Sequence, residues 1–146
     1  MTKPVTPLLA ADTIIELTDY PNRPIVLIER AYPPYGWAIP GGFVDVGERI
    51  EHAAVREAQE EVGLKVALMA LLGLYSDPSR DARGHTVTAV YVAVASGSPV
   101  AADDAKNCQI FNIDALPEQL AFDHAQVLMH YKAFRATGQV TPLPIM

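Results

Sequence analysis

The chain has a single cysteine, Cys108, among 146 residues. No internal disulfide can form, and no thiolate cage can hold a metal. It also lacks any run of lysines or arginines, and its net charge is −6. A duplex nucleic-acid binder neutralises phosphates with a basic surface, so nucleic acid is not expected as a partner. A small phosphorylated substrate is still allowed, because a metal ion can supply the missing positive charge. Long apolar segments are absent too: Pro4 and Pro7 lie near the start, and Asp12 interrupts the one greasy stretch there. Neither a signal peptide nor a membrane span is expected, which makes a cytoplasmic setting the default. Low-complexity tails and internal repeats are missing as well. What remains is a chain that is 50% hydrophobic and long enough to bury a core, read as one domain over residues 1–146.

Residues 8–17 and 24–30 are short apolar runs separated by the Tyr20-Pro21-Asn22 turn signal, and they predict two strands. A Pro- and Gly-rich stretch follows over residues 33–42, with a short strand at 37–39 and loop elsewhere. Residues 49–62 predict a helix rich in Ala, Glu and Gln, closed by Gly63. Strands are expected at 65–75, 86–95 and 108–113, with a polar insert at 76–85. A second helix is expected over 123–136, where Val127, Leu128, Tyr131 and Phe134 recur at helical spacing and Gly138 follows. Strands and two amphipathic helices in this order suggest an α/β protein, a mixed sheet with a helix on each face.

The chemistry concentrates in GFVDVGERIEHAAVREAQEEVGL, residues 42–64. At ~3.6 residues per turn, Glu57, Glu60 and Glu61 fall within an arc of roughly 100°, while Val55, Ala58 and Val62 occupy the opposite side. Three carboxylates at this spacing repel one another, and Arg56 offsets only part of that. A hard divalent ion resolves the conflict, since Mg²⁺ prefers oxygen ligands and often shares them with substrate phosphates. A glutamate-rich helix by itself is usually just a solvated face. Here Pro40-Gly41-Gly42 precedes it, a stretch where backbone can approach a ligand closely.

The segment resembles the signature box of the Nudix hydrolases, whose pattern is met by Gly42, Glu48, Arg56, Glu57, Ala58, Glu60, Glu61, Gly63 and Leu64. Average residue usage makes a chance match rarer than roughly 10⁻⁸ per starting position. Ala58 stands where larger aliphatics are usual, which bears on packing and not on ligation. The resemblance implies a Nudix-type α/β/α sandwich with a mixed central sheet. It implies Glu57, Glu60 and Glu61 as metal ligands, one of them also a general base, with a carbonyl of Gly41 or Gly42 completing the site. Arg56 would orient a glutamate, and Glu48 would support the loop, bind a further metal or face substrate. The cofactor implied is Mg²⁺, with Mn²⁺ as the alternative. Water would attack a phosphorus of a diphosphate, and replacing Glu60 or Glu61 with Gln should cost much turnover while leaving the fold intact.

The box does not choose the substrate, so the flanks must. Arg80, Arg83 and His85 in the insert suggest a loop able to grip a second phosphate or a ribose, the alternative being a solvated hairpin connection. The stretch resembles ADP-ribose pyrophosphatases of the same family, with Pro78 fifteen residues beyond Gly63 and the Phe122-Asp123-His124 element before the last helix. Ala82 departs from that group, where a proline is expected. Asp123 also reads as an N-cap and Phe122 as a staple. Arg30 is a candidate substrate contact at a strand end. Tyr35 and Trp37 are plausible neighbours of the pocket, Trp37 chiefly through packing. Asp103 and Asp104 could supply an acid from outside the box. His52 reads as an exposed helix residue and Cys108 as a core residue.

The expected reaction is therefore cleavage of ADP-ribose to AMP and ribose 5-phosphate, with a small-molecule nucleotide as partner; a homodimer is compatible with the resemblance. A nucleoside triphosphate pyrophosphohydrolase is the nearest rival and would release pyrophosphate instead. A non-catalytic nucleotide-sensing domain is a rival of another class, disfavoured because all the box acids are present and there is no room for an attached DNA-binding segment.

Overall fold

The computed structural model describes residues 2–146. Its chain order is β1 (Leu8–Leu17), β2 (Ile25–Arg30), β3 (Trp37–Ala38), β4 (Gly41–Phe43), α1 (Ile50–Val62), β5 (Ala67–Tyr75), β6 (Thr86–Ala95), β7 (Ala105–Phe111) and α2 (His124–Thr137). The sheet path is β3-β2-β1-β6-β5, with β4 pairing β1 and β7 pairing β2. β1 and β6 run parallel over their whole length and the other pairs are antiparallel, so the sheet is mixed, as the sequence predicts.

Alternation along the strands divides the core into two layers. Ile15 and Leu17 of β1, with Val26 and Ile28 of β2, meet Ala58 and Val62 of α1. Ile14, Ile25 and Leu27 face the other way, onto Val127, Leu128 and Tyr131 of α2. A one-residue slip of either strand would exchange these sets, which fixes the register. Glu16 is one of the buried polar residues on the α2 side. It is buried, accepts the Tyr131 hydroxyl at 2.7 Å and pairs with Arg23 at 3.2 Å, so its charge is compensated. Both helices end as expected on left-handed glycines, Gly63 (φ 69°) and Gly138 (φ 77°). Among the described residues no helix is long and apolar enough to cross a membrane.

Several local expectations are corrected. Gly41 to Phe43 is strand and not loop, because its backbone pairs with Ala10 to Asp12 across the free half of β1. β7 begins at Ala105, earlier than its apolar pattern suggests, because pairing with β2 extends to Arg30 past a bulge. Cys108 is only half buried on that strand. Glu61 does not project to solvent with Glu57 and Glu60: it is 5% exposed. Its arc on α1 is covered by β4, which a helix considered alone does not show. Asp123 holds the N-cap position but makes no capping bond; its carboxylate is engaged elsewhere.

One feature of the sheet positions the site. β1 and β2 share a single register pair, Glu16 with Ile25, and then diverge. The segment that follows β2 pairs with both strands where they part, β3 with β2 and β4 with β1. The sheet is split at that point, and a cleft opens in the split.

Candidate active site

The cleft has a volume of about 500 Å³, within the range of small-ligand sites. Its acidic side is built from α1 and the Gly41-Gly42 dipeptide. A β-carbon on Gly42 would lie 2.5 Å from the Glu57 carboxylate, and one on Gly41 would collide with the Asp12 carboxylate and the Ala11 carbonyl. Both positions therefore need glycine, because each lets a carboxylate lie against the backbone. Gly41 N–H donates to Glu61 Oε1 at 2.7 Å.

Burial pushes the Glu61 carboxyl up to about 8; the Gly41 N–H opposes this, and the charges of Glu57, Asp12 and Asp104 add to it. Burial likewise raises Glu57, against the pull of Arg56. Burial thus penalises the charged form of both carboxyls in the absence of a bound cation.

Arg56 is the hub of the box. Its Nε and Nη2 grip Glu48 at 2.8 and 2.9 Å, Nη1 reaches Glu57 at 2.9 Å and Glu60 at 3.3 Å, and Nη2 also donates to the Phe43 carbonyl. The bidentate Arg56 bond holds Glu48 well below the usual carboxylate range, helped by the Asp45 N–H. Glu48 thereby ties the loop before α1 to the helix and does not line the cleft. Glu60 also lies off the cleft, with 43% of its side chain exposed against 16% for Glu57. His52 is exposed and touches Glu48.

The opposite side is basic. Arg30 and Arg83 both stand over the Phe122 ring, 4.8 and 5.1 Å from its centroid. Arg30 donates to the Pro33 and Pro34 carbonyls. Burial and the neighbouring Arg83 charge lower its pKa, which leaves it a cation suited to an anion. Arg83 pairs with Asp81 at 2.8 Å, yet 48% of its side chain is exposed. Arg80 is different: its side chain is 5% exposed and forks onto Asp123 at 2.8 and 2.7 Å, with further bonds to Thr88 and the Thr86 carbonyl. Burial would lower its pKa, but Asp123 outweighs that and raises it. Arg80 lines the cleft as a tie between the insert and α2, with few donors left for a ligand.

Arg30, Gly41, Gly42, Arg56, Glu57, Glu61, Arg80 and Arg83 all line the cleft, as does Asp104. Asp103 and Tyr35 do not, and Trp37 packs edge-on against Phe111 at 5.1 Å. Sequence reasoning missed Asp12 and Asp81, whose pocket roles carry no local signal, and gave Tyr35 the place that Tyr32 occupies. Phe122 is no staple: with φ 54° it turns its ring beneath the two arginines.

Comparison with known proteins bears on the fold and the family. Residues 7–131 match the NUDIX domain model. The chain is 42% identical over 132 residues to an ADP-ribose pyrophosphatase of Methanocaldococcus jannaschii, covering 88% of this chain and 75% of that protein. It is 29% identical to the ADPR responsive transcriptional repressor NtrR of Acinetobacter baylyi, spanning 59% of that protein's length. The NUDIX domain of Shewanella oneidensis NrtR, solved in complex with ADP ribose, superposes with a TM-score of 0.77 at 26% identity, over 91% of this chain and 90% of that one. A match over residues 7–131, together with a relative at 42% identity across most of both chains, shows that this protein belongs to the Nudix family.

Proposed function

We propose that the protein hydrolyses ADP-ribose to AMP and ribose 5-phosphate in a divalent-metal-dependent reaction at this cleft. The observation that carries the reading is the division of the cleft: carboxylates gathered on Gly41-Gly42 face Arg30 and Arg83 across a nucleotide-sized gap. Similarity to the archaeal pyrophosphatase, and to a domain crystallised with ADP ribose, supports the choice of substrate.

The donor set fits a hard ion, because it is all oxygen and its buried carboxyls lack a cation that would favour their charged form. Among the described residues no three His, Cys, Asp or Glu side chains are gathered as a ready-made cage. Glu57, Glu61 and the Gly41 carbonyl would hold the ion, with Gly42 giving Glu57 its place. Glu60, the third ligand that the resemblance implies, lies off the cleft and is linked to Glu57 alone, through Arg56. Mg²⁺ is the ion proposed, with Mn²⁺ as its substitute. When bound, it supplies charge neutralisation of the diphosphate and activation of water.

The chain's own residues do the rest. Arg30 and Arg83 bind the anionic substrate and align it. Arg56 orients Glu57, and Glu48 keeps Arg56 in place. A water oxygen bonds to one phosphorus, the bridging P–O bond breaks, and the proton passes to a box carboxylate. The test is product analysis with ADP-ribose and Mg²⁺. AMP plus ribose 5-phosphate, lost on chelation, is the expected result. Pyrophosphate released from a nucleoside triphosphate, with ADP-ribose untouched, would replace this substrate with another. Binding of ADP-ribose without turnover would make the chain a sensor.

A further inference from the structure

Behind the Gly41-Gly42 dipeptide lies a buried pair that the box does not contain. His124, the first residue of α2, is 3% exposed, and Asp12 of β1 is 8% exposed. The Ile39 N–H donates to His124 Nδ1 at 3.0 Å, and His124 Nε2 stands 3.3 Å from Asp12 Oδ2. An imidazole nitrogen that accepts an N–H keeps its lone pair there, so the ring proton is on Nε2 and faces Asp12. Asp12 in turn pairs in register with Gly41, and its carboxylate fills the space where a Gly41 side chain would begin. Gly41 N–H is the donor that holds Glu61.

We propose that His124 is a positioning residue for the carboxylate side of the cleft: by accepting the Ile39 N–H it sets Gly41 two residues on, and through Gly41 it sets Glu61. This role rests on the cleft being the hydrolytic centre proposed above. A simple staple between α2 and the sheet is the competing explanation, and two observations weigh against it. The start of α2 is already held without His124, by Trp37 N–H to the Gln119 carbonyl, Ala121 N–H to the Trp37 carbonyl and the Arg80–Asp123 fork. A buried polar ring also costs desolvation that an apolar contact would not, so its directed bond needs a purpose beyond adhesion. That bond ends on Ile39, between β3 and β4 and two residues before Gly41.

Two substitutions separate the bond to Ile39 from the contact with Asp12. His124→Asn keeps an acceptor near Nδ1 for Ile39 but loses the N–H that faces Asp12. His124→Gln reaches the Nε2 position and keeps that donor but loses the acceptor. With ADP-ribose and Mg²⁺, His124→Gln and His124→Ala should lower kcat about 10- to 100-fold while KM stays within about threefold, and His124→Asn should recover most of the turnover. Asn and Gln variants losing turnover equally, in proportion to their loss of Tm, would reduce His124 to a staple. They decide the matter even where His124→Ala does not fold.

A second measurement is independent of turnover. ¹⁵N NMR of the wild type should show His124 as the Nε2-protonated tautomer, and the Gly41 amide resonance should move in His124→Gln and return in His124→Asn. If the wild type leaves ADP-ribose intact but these signals hold, the substrate assignment fails and the positioning stands. If ADP-ribose is cleaved and the Gly41 amide is unmoved in His124→Gln, the positioning fails and the substrate assignment stands.

Discussion

The two sides of the cleft are assembled in opposite ways. On the acidic side, Glu57 and Glu61 lie one turn apart on α1, and the bond that locks Glu61 to Gly41 spans 20 residues. On the basic side, Arg80 meets Asp123 across 43 residues, and Arg30 and Arg83 converge on Phe122 from different elements. The acidic side is a local structure that a short segment can encode. The basic side exists only once the sheet has closed and α2 has docked. Chemistry common to a family suits the first arrangement, and substrate choice suits the second, because long-range contacts change without disturbing the ligands.

The sharpest way to break this comparison is to remove Arg80. A buried, forked ion pair with one partner deleted leaves an uncompensated charge, so Arg80→Ala should destabilise the fold by about 3–5 kcal/mol in chemical denaturation. Asp123→Ala should cost a similar amount, and the double variant less than the sum. Full stability with weakened substrate binding would instead return Arg80 to the ligand.

Next in size is the acidic side. Glu57→Gln and Glu61→Gln should each lower kcat by about 10²-fold or more in steady-state assays. Burial already penalises the charged form of both carboxyls, so the neutral amides should not lower the melting temperature in chelator. The stabilisation that Mg²⁺ confers on the wild type should shrink in the same melts. Losing both turnover and metal-free stability together would mean that these carboxylates hold the fold.

Arg30→Ala and Arg83→Ala should raise KM about 10-fold and leave kcat within about threefold, the pattern of lost uniform binding. A fall in kcat with KM unchanged would place the arginines at the reacting phosphorus and blur the division between the two sides. Smallest of all is His52→Ala. Its side chain is 68% exposed, so stability should change by less than about 0.5 kcal/mol and turnover should not change.

Much of the fold was legible beforehand because it rests on periodicity. β1 and β6 were bounded to the residue by their apolar runs, and α1 and α2 to within one residue by their glycine ends. β4 was not legible: two glycines and a phenylalanine carry no strand pattern, and they become strand only because half of β1 lacks a partner. In the site, Glu57, Arg56 and the two glycines could be named from their spacing. The burial of Glu61 could not, because a helix seen alone does not show what will cover it. Arg80 and Arg83, three residues apart in one loop, looked equivalent. Asp123 draws one inside, while Asp81 leaves the other half exposed.

The sequence by itself determined the family, the mixed α/β architecture and a row of carboxylates next to a glycine pair, because these depend on spacing within about one or two helical turns or on strand alternation. Tertiary structure alone decided which carboxylates face the cleft, which arginine is drawn inside, and that Asp12 and His124 meet behind Gly41. Those are questions of what lies opposite a side chain once residues as far apart as Ile39 and His124 come within a hydrogen bond of each other.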